Sequence, residues 1–364
     1  MPDSLYWADN YIDKQMSASE AIRLIKPGRR VFISSACSEP QELVRALSAM
    51  AGRLTGLEIV RLMSQETTPL TTIANKSQDL SLNIRTIYLG SVGDETIAKN
   101  MRFITPLNMS DVPGLFKTRK LPINVALIHV SPPDDFGWMS LGISVDITLA
   151  ASVSADLVIA QVNPKMPRVL GQSFIHVNDV DAIVEHEEDL ITAGFGESSQ
   201  EASRIGQHIA RLIDDGSTLQ IGLDSASQAT VQALANKNDL GIHSQYMTDD
   251  IMHLYSQGII TNRKKGFNEG KLDFHPSDYV NDPFIIAQHN RMVSMNVAKS
   301  MDLTGQVAAE ASPRTLYAGV SGIPDFLRGA RRSPGGKSIL MLFSTSSDEN
   351  KSNIVPMLEN TAIV

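Results

Sequence analysis

Blocks of helical and strand-like hydrophobic patterning alternate along the chain. Residues 17–26 carry apolar side chains at helical spacing, with Ser17 and Glu20 placed as a capping box and Pro27-Gly28 as the stop. The pattern then predicts a strand, a tight small-residue loop, a helix and a second strand, at residues 30–34, 35–38, 40–51 and 56–64. This order is typical of an α/β unit.

The same order of elements returns in the second half of the chain. A helix predicted over residues 203–214 ends before Gly216, as the earlier helix ends before Gly28. A strand, a loop, a helix and a strand follow at residues 217–223, 224–227, 228–237 and 240–247. The pattern predicts an internal duplication, although α/β proteins also reuse this order without duplication.

Three further apolar runs, bounded by turn residues, predict buried parallel strands at residues 125–131, 157–162 and 338–343. Parallel strands need crossover helices, so the predicted class is α/β, with two tandem open sheets whose strands are mostly parallel. A charged segment followed by a glycine-containing one places the boundary near residues 187–192. The predicted domains are therefore residues 1–187 and 188–364.

Composition and charge narrow the classes of function. The 364 residues are 42% hydrophobic and 20% charged, which excludes disorder, collagen and coiled coil. A net charge of −8 has the wrong sign for a nucleic-acid-binding protein, and no apolar stretch is long enough to span a membrane. The N-terminal stretch lacks the features of a signal peptide, so we expect a cytoplasmic protein.

The loops that follow the two repeated strands are the first candidate binding sites, because open α/β sheets bind ligands at the carboxyl ends of their strands. Residues 34–40 and 222–228 are both rich in small side chains before a predicted helix, so backbone N–H groups there can meet an anion or a developing oxyanion. The alternative is simple close packing of strand on helix.

A second glycine-containing loop is predicted at residues 319–326. It is followed by Arg328, Arg331, Arg332 and Lys337, a cationic group that suits a phosphate-bearing ligand. A solvated turn with scattered charges is the alternative for this segment.

Other chemistries find little support in the sequence. The eight histidines show no metal-ligand spacing, so we expect no metal, and His176 and His243 lie in strand-like runs where a core or sheet-end histidine is the usual explanation. There is no GxSxG motif, and Cys37, the single cysteine, has no evident base partner. One cysteine also excludes an internal disulfide and fits a reducing compartment.

Long collinear stretches of the chain resemble the acetyl-CoA hydrolase/transferase family. They lie at residues 125–148, 161–185, 205–223, 239–265, 274–296, 302–307 and 317–339. The resemblance implies two CoA-transferase-type α/β domains, coenzyme A or an acyl-CoA as substrate, a small carboxylate as second partner, and a homodimer.

In this family a glutamate attacks the acyl-CoA thioester, and an acyl-glutamyl anhydride and then a glutamyl-CoA thioester carry CoA to a second carboxylate. The family has histidine, a small hydroxylated residue and the glutamate at this point, and this chain has His243, Ser244 and Gln245. The resemblance therefore places Gln245 at the nucleophile position. A neutral amide cannot form the anhydride efficiently, so glutamyl-CoA transfer is in doubt.

The resemblance also implies which residues contact CoA. The family's CoA-facing loop is changed here, having lost its second glycine and its Ile-Pro pair, whereas the later loop is largely retained. The expected CoA-binding residues are Gly222, Ser225, Ala226, Gly319, Val320, Ser321, Gly322 and Asp325. A family segment is missing between Lys271 and Phe274, and the C-terminal domain is expected to be shortened at its end.

Two functions remain open at this point. In the first, the protein binds an acyl-CoA and acts on its thioester by a route that has diverged from glutamyl-CoA transfer. In the second, it is a catalytically inactive homologue that serves as a CoA-binding or partner-binding protein. Asp224 is a candidate relocated carboxylate for the first function, and the alternative is that it caps the helix that follows it.

Overall fold

A computed structural model describes residues 6–63, 70, 82–87, 103–193, 199–267, 270–309, 311–312, 315–316, 321–346 and 351–358. The chain forms two compact units, the first comprising Met1–Leu107, Asp111–Ala193 and Asp273–Asp278 and the second Asn108–Ser110, Gly194–Leu272 and Tyr279–Val364. We propose that these units are the two domains that the sequence predicts. Gly319 and Val320, two of the expected CoA-binding residues, lie outside the described residues.

The first unit is built on a parallel sheet. Its helices are α1 (Trp7–Asp13), α2 (Ala18–Arg23), α3 (Gln41–Met50), α4 (Val112–Lys117) and α5 (Thr148–Ser154). Its strands are β1 (Arg30–Ile33), β2 (Leu57–Arg61), β3 (Leu82–Thr86), β4 (Phe103–Ile104), β5 (Val125–Val130), β6 (Trp138–Ser140), β7 (Leu157–Val162), β8 (Phe174–His176) and β9 (Ala182–Glu185). The sheet order is β4-β3-β2-β1-β5-β7-β9, with β6 and β8 paired separately, and α2 and α3 bury their apolar faces against the sheet.

The second unit repeats this plan on a smaller scale. Its helices are α6 (Gln200–Leu212), α7 (Ser225–Gln232), α8 (Asp249–Ser256), α9 (Ser277–Val280), which leads in from the first unit, α10 (Pro283–Ala287) and α11 (Ile323–Arg332). Its strands are β10 (Thr218–Ile221), β11 (Gly241–Ile242), β12 (Met292–Val297), β13 (Ser300–Asp302), β14 (Val307–Ala308), β15 (Ala311–Ser312), β16 (Thr315–Leu316), β17 (Lys337–Met341) and β18 (Ile354–Val355). Its main sheet is parallel, in the order β11-β10-β12-β17.

The predicted strand-loop-helix-strand repeat is present in both units. The order β11-β10-β12-β17 matches β2-β1-β5-β7, and α3 and α7 occupy the same place after β1 and β10. Gly28 and Gly216 adopt φ of 71° and 76°, which glycine tolerates best. Each donates its N–H to the carbonyl of a residue shortly before the neighbouring strand, Thr55 at 2.9 Å and Asn238 at 3.0 Å. The α/β class with mostly parallel sheets is confirmed.

Several element boundaries differ from the prediction: helices α2 and α6 end at Arg23 and Leu212, before the predicted ends at residues 26 and 214. Three further differences concern the elements of the candidate site. Helix α7 begins at Ser225, so Ser225 and Ala226 lie in its first turn rather than in a loop. Helix α11 begins at Ile323, because Pro324 suits the first turn of a helix, so the predicted loop ends at Gly322. Strand β11 ends at Ile242, earlier than predicted. Across the described ranges, no helix is long and apolar enough to cross a membrane.

Candidate functional site

The carboxyl end of β11 places Gln245 beside the end of β10. The N–H of His243 continues the ladder to the carbonyl of Leu219 at 2.9 Å. The Ser244 hydroxyl then takes over, donating to the carbonyl of Ile221 at 3.2 Å and accepting from the N–H of that residue at 3.3 Å. This side-chain bridge ends the strand and puts Gln245 where open α/β sheets bind their ligands.

Three segments of the second unit meet at the Gln245 side chain. Gly322 lies so close that a methyl group there would overlap both Oε1 of Gln245 and Nδ2 of Asn281. The Gln245 side chain is partly exposed, and its amide forms no hydrogen bond with any residue that the structure describes. Gln245, Asn281 and Gly322 therefore form the centre of the candidate site.

Asn281 contributes a buried donor to this centre. The residue is 1% exposed, and its Nδ2 has no hydrogen-bond partner in the described part of the chain. An unsatisfied buried amide costs about 1–3 kcal/mol, so a group of this kind marks a place where a partner is expected. A ligand oxygen, including a thioester oxygen that gains negative charge, is the partner that this donor suits.

A pair of histidines holds Asn281 and Gln245 together. His243 Nε2 donates to the carbonyl of Val280 at 2.8 Å, and His243 Nδ1 lies 3.0 Å from Nε2 of His289, within hydrogen-bond distance. Burial, together with the charge of Lys265, lowers the pKa of His289 to about 3, so this imidazole is neutral at pH 7. Because Val280 precedes Asn281 in the chain, the pair fixes the two amides relative to each other. His243 is thus the sheet-end histidine that the sequence predicts.

Asp224 acts as the N-cap of α7. Its carboxylate accepts from the N–H of Ser227 at 2.8 Å and from the Ser227 hydroxyl at 2.7 Å, and burial raises its pKa. A methyl group at Gly222 would lie 2.9 Å from Asp224 Oδ2, so the loop closes tightly around this cap. The capping alternative is confirmed, while the catalytic role of Asp224 stays a prediction.

The predicted anion sites at helix N-termini are filled by the protein's own side chains. At α7 the Asp224 carboxylate takes the first-turn N–H groups. At α3 the carbonyl oxygen of Gln161 accepts from the N–H groups of Glu42 and Leu43 at 3.1 and 3.3 Å. An anion therefore has to displace a cap at either helix.

The segment around α11 also departs from the predicted phosphate site. Asp325 is 1% exposed and accepts from the backbone and hydroxyl of Ser110 at 3.2 and 3.1 Å, so it anchors the helix. Lys337 pairs with Asp214 at 2.9 Å. The remaining cations, Arg328, Arg331 and Arg332, are exposed on α11. Among the predicted residues that the structure describes, Gly322 lies against Gln245, and Ser321 precedes it.

Comparisons with known proteins show the family of this chain. Residues 3–193 match the acetyl-CoA hydrolase/transferase N-terminal domain and residues 265–364 match the C-terminal domain. The chain is 37% identical to 4-hydroxybutyrate coenzyme A transferase of Clostridium kluyveri, over 98% of this chain and 88% of that protein. It is 31% identical to succinyl-CoA:cyclohexane-1-carboxylate CoA transferase of Geobacter metallireducens, over 97% and 85%.

A solved structure gives the same result at the level of the fold. The crystal structure of RipA from Yersinia pestis superposes with a TM-score of 0.88 at 29% identity, covering 98% of this chain and 88% of that one. With two family domains matched in order and a relative aligned along nearly its whole length, this chain belongs to the acetyl-CoA hydrolase/transferase family.

Proposed function

We propose that this protein binds an acyl-CoA at the Gln245 site and acts on its thioester by a route other than glutamyl-CoA transfer. The observation that carries the proposal is the contact of the Gln245 amide with Gly322 and Asn281. This contact places the buried donor of Asn281 close to a side chain that carries no charge. The relatives named above are CoA transferases by name, which supports acyl-CoA as the ligand.

The chemistry of Gln245 argues against the glutamyl route. An amide nitrogen is a poor nucleophile because its lone pair is delocalised, and an acylated amide does not offer the leaving group that the anhydride step needs. Asn281 still provides a hydrogen bond to the thioester oxygen, which favours attack by water or by another nucleophile. A small carboxylate acceptor is compatible with this site.

The second candidate is a homologue that binds CoA or a partner without turnover. It is favoured by the state of Asp224, whose carboxylate is already engaged by Ser227 twice. A carboxylate held in that way is poorly placed to serve as a general base. Measured thioester hydrolysis distinguishes the two candidates, because only the first predicts it.

Titration calorimetry with CoA, acetyl-CoA and butyryl-CoA tests the shared part of the proposal. Saturable binding supports it, and an absence of binding at millimolar ligand contradicts it. The chemical part is tested by comparing the natural chain with Gln245→Glu in acyl-CoA:acetate exchange. We expect no hydroxylamine- or borohydride-trapped glutamyl-CoA thioester in the natural chain and measurable exchange in Gln245→Glu; robust ping-pong exchange by the natural chain contradicts the role given to Gln245.

We also propose that the protein is a cytoplasmic homodimer. Support for the dimer comes from the family, and support for the compartment comes from the single cysteine, Cys37, which is half-buried and whose thiol pKa is raised by burial. Light scattering at micromolar concentration measures the mass directly. A monomer under these conditions contradicts the assembly.

A further inference from the structure

A cavity of about 330 Å³ opens in the first unit at the amino ends of β1, β2 and β3. We call it the arginine pocket, because three arginines line it. Its polar lining residues are Arg29, Arg30, Arg85, Glu58, Asn83 and Asn124. The edge where the strands begin is opposite to the edge where open α/β sheets bind their ligands. The pocket is therefore separate from any site at the carboxyl ends of this sheet.

Strand register explains why these polar side chains gather. Arg30 pairs with Glu58, and Glu58 pairs with Asn83, so the three lie in one row across parallel strands and point to one face. Arg85 lies two residues after Asn83 and therefore on the same face. In the next row on this face, Phe32 and Val60 are buried and apolar, and the third member is Arg85, whose Nε donates to Glu58 in the first row. The polar group therefore consists of the first row, Arg30, Glu58 and Asn83, together with Arg85 from the second.

The pocket carries an excess of positive charge. The Glu58 carboxylate bridges two guanidinium groups, accepting hydrogen bonds from Nε of Arg30 at 2.7 Å and from Nε of Arg85 at 2.5 Å. One carboxylate between two arginines leaves one positive charge, and Arg29 adds a second. Within the described residues Arg29 forms no ion pair; the hydrogen bonds from Arg119 and Asn124 hold the pKa of Asp156 below its usual range, and the charge of Arg29 adds to this effect. A local charge of +2 contrasts with the net −8 of the whole chain.

The Arg30 guanidinium in the pocket also has more hydrogen-bond donors than its protein partners use. Arg30 uses its guanidinium toward Glu58 and, through Nη1, toward the carbonyl of Pro122 at 2.9 Å. A guanidinium has five N–H donors in a planar fork, so donors remain for a ligand. This fork matches the oxygen pairs of phosphate and carboxylate groups.

We propose that the arginine pocket binds a small anion with two or more negative charges, of the phosphate or polycarboxylate class. The anion lies over the row of Arg30, Glu58 and Asn83, with Arg29 closing on it from the exposed side. Glu58 repels the anion directly, so the affinity is modest and falls with salt. The proposal does not depend on the function of the Gln245 site.

Calorimetry with inorganic pyrophosphate and with citrate, at low and at high salt, tests this proposal on the full chain. We expect saturable binding at low salt for at least one probe, and the probe that binds identifies the class. Arg29→Ala should weaken binding about fivefold, the effect of losing one exposed charge pair. Arg204→Ala is the matched control, because it removes an equally exposed arginine from α6 of the second unit.

Glu58→Gln gives a result of the opposite sign. It removes the repelling charge but keeps an acceptor oxygen for the arginines, so pyrophosphate or citrate should bind more tightly and raise the melting temperature more than in the natural chain. The proposal is overturned if neither probe binds saturably at low salt, or if Arg29→Ala and Arg204→Ala bind alike. Binding that CoA displaces and that Arg29→Ala leaves unchanged locates the anion at the CoA site and also overturns it.

Discussion

Acid should destabilise this protein through two buried imidazoles, one in each unit. His129 is 1% exposed, and burial lowers its pKa to about 4 even though the charge of Glu188 acts in the opposite direction. His289 is fully buried, and burial lowers its pKa to about 3. Both rings are therefore neutral in the folded protein at pH values where a solvated histidine is already charged.

The sign of the effect follows from where the protons bind. A histidine in the unfolded chain has a pKa of about 6.5. Below that pH the unfolded chain binds protons at both histidines, whereas His129 and His289 remain unprotonated in the folded protein. The stabilisation is complete above about pH 6.5 and is lost as the pH falls toward 4 and 3. At about pH 5.5, one unit below the pKa in the unfolded chain, each histidine lowers the free energy of unfolding of the protein by about 1.4 kcal/mol.

Urea unfolding at about pH 7.5 and about pH 5.5 measures this loss, and the natural chain should lose about 2.8 kcal/mol through the two rings. His289→Gln keeps a donor toward His243 but does not titrate, so about half of the loss should disappear. His208→Gln is the control, because His208 is exposed on α6 and its substitution should leave the loss unchanged. If His289→Gln retains the whole pH dependence, the buried neutral imidazole of His289 is refuted as a source of that dependence.

Four further substitutions test the site. Gly322→Ala should cost about 1–3 kcal/mol in the melting experiment and weaken acetyl-CoA binding, because the methyl group displaces the Gln245 and Asn281 amides; an unchanged affinity contradicts this contact. Asp224→Ala should cost about 0.5–2 kcal/mol as a lost cap. Asp224→Asn, which keeps an acceptor, should leave acyl-CoA hydrolysis intact, whereas a hundredfold loss, about the size of a missing general base, would support catalysis. Asn281→Ala should weaken acyl-CoA binding by calorimetry with little change in melting temperature.

The repeated α/β plan could be predicted from the sequence because its signals are local. The capping box at Ser17 and Glu20 forms as predicted, and Gly28 and Gly216 adopt positive φ at equivalent places, shortly before β1 and β10. Such signals depend on neighbours within one turn of helix or one strand. The predicted start of α7 is wrong because the small residues after Asp224 are compatible with both a loop and a first helical turn.

Contacts between distant segments were not predictable in the same way. Gln161 caps α3 from 119 residues away, replacing the side-chain cap that Pro40 cannot provide. Asn281 lies within a stretch that resembles the family, yet no local pattern marks it as a partner of residue 245. His289 joins His243 across 46 residues. Gln161, Asn281 and His289 can all be found by identifying the hydrogen-bond partner of each buried polar atom, which requires the folded structure.

The surroundings of Gln245 indicate that binding and chemistry can be separated in this chain. Glutamine and glutamate have nearly the same shape, so the contacts with Gly322 and Asn281 do not depend on which of them is present. The neighbouring groups are the Asn281 amide and, behind it, the histidine pair, in which His289 is neutral, and the amide of Gln245 adds no charge to this partly buried site. Introducing a carboxylate by Gln245→Glu adds a charge, and Asn281 Nδ2 is the nearby donor that can stabilise it.

This gives the Gln245→Glu experiment a definite control. If Asn281 stabilises the new carboxylate, the double variant Gln245→Glu with Asn281→Ala should lose the exchange activity that Gln245→Glu gains. Acyl-CoA binding by calorimetry should remain measurable in both variants and be weaker in the double variant. The double variant should also melt lower than the sum of the single effects predicts, because it leaves a partly buried carboxylate without its donor. Equal exchange rates in the single and double variants would remove Asn281 from the chemistry and leave it with a structural role only.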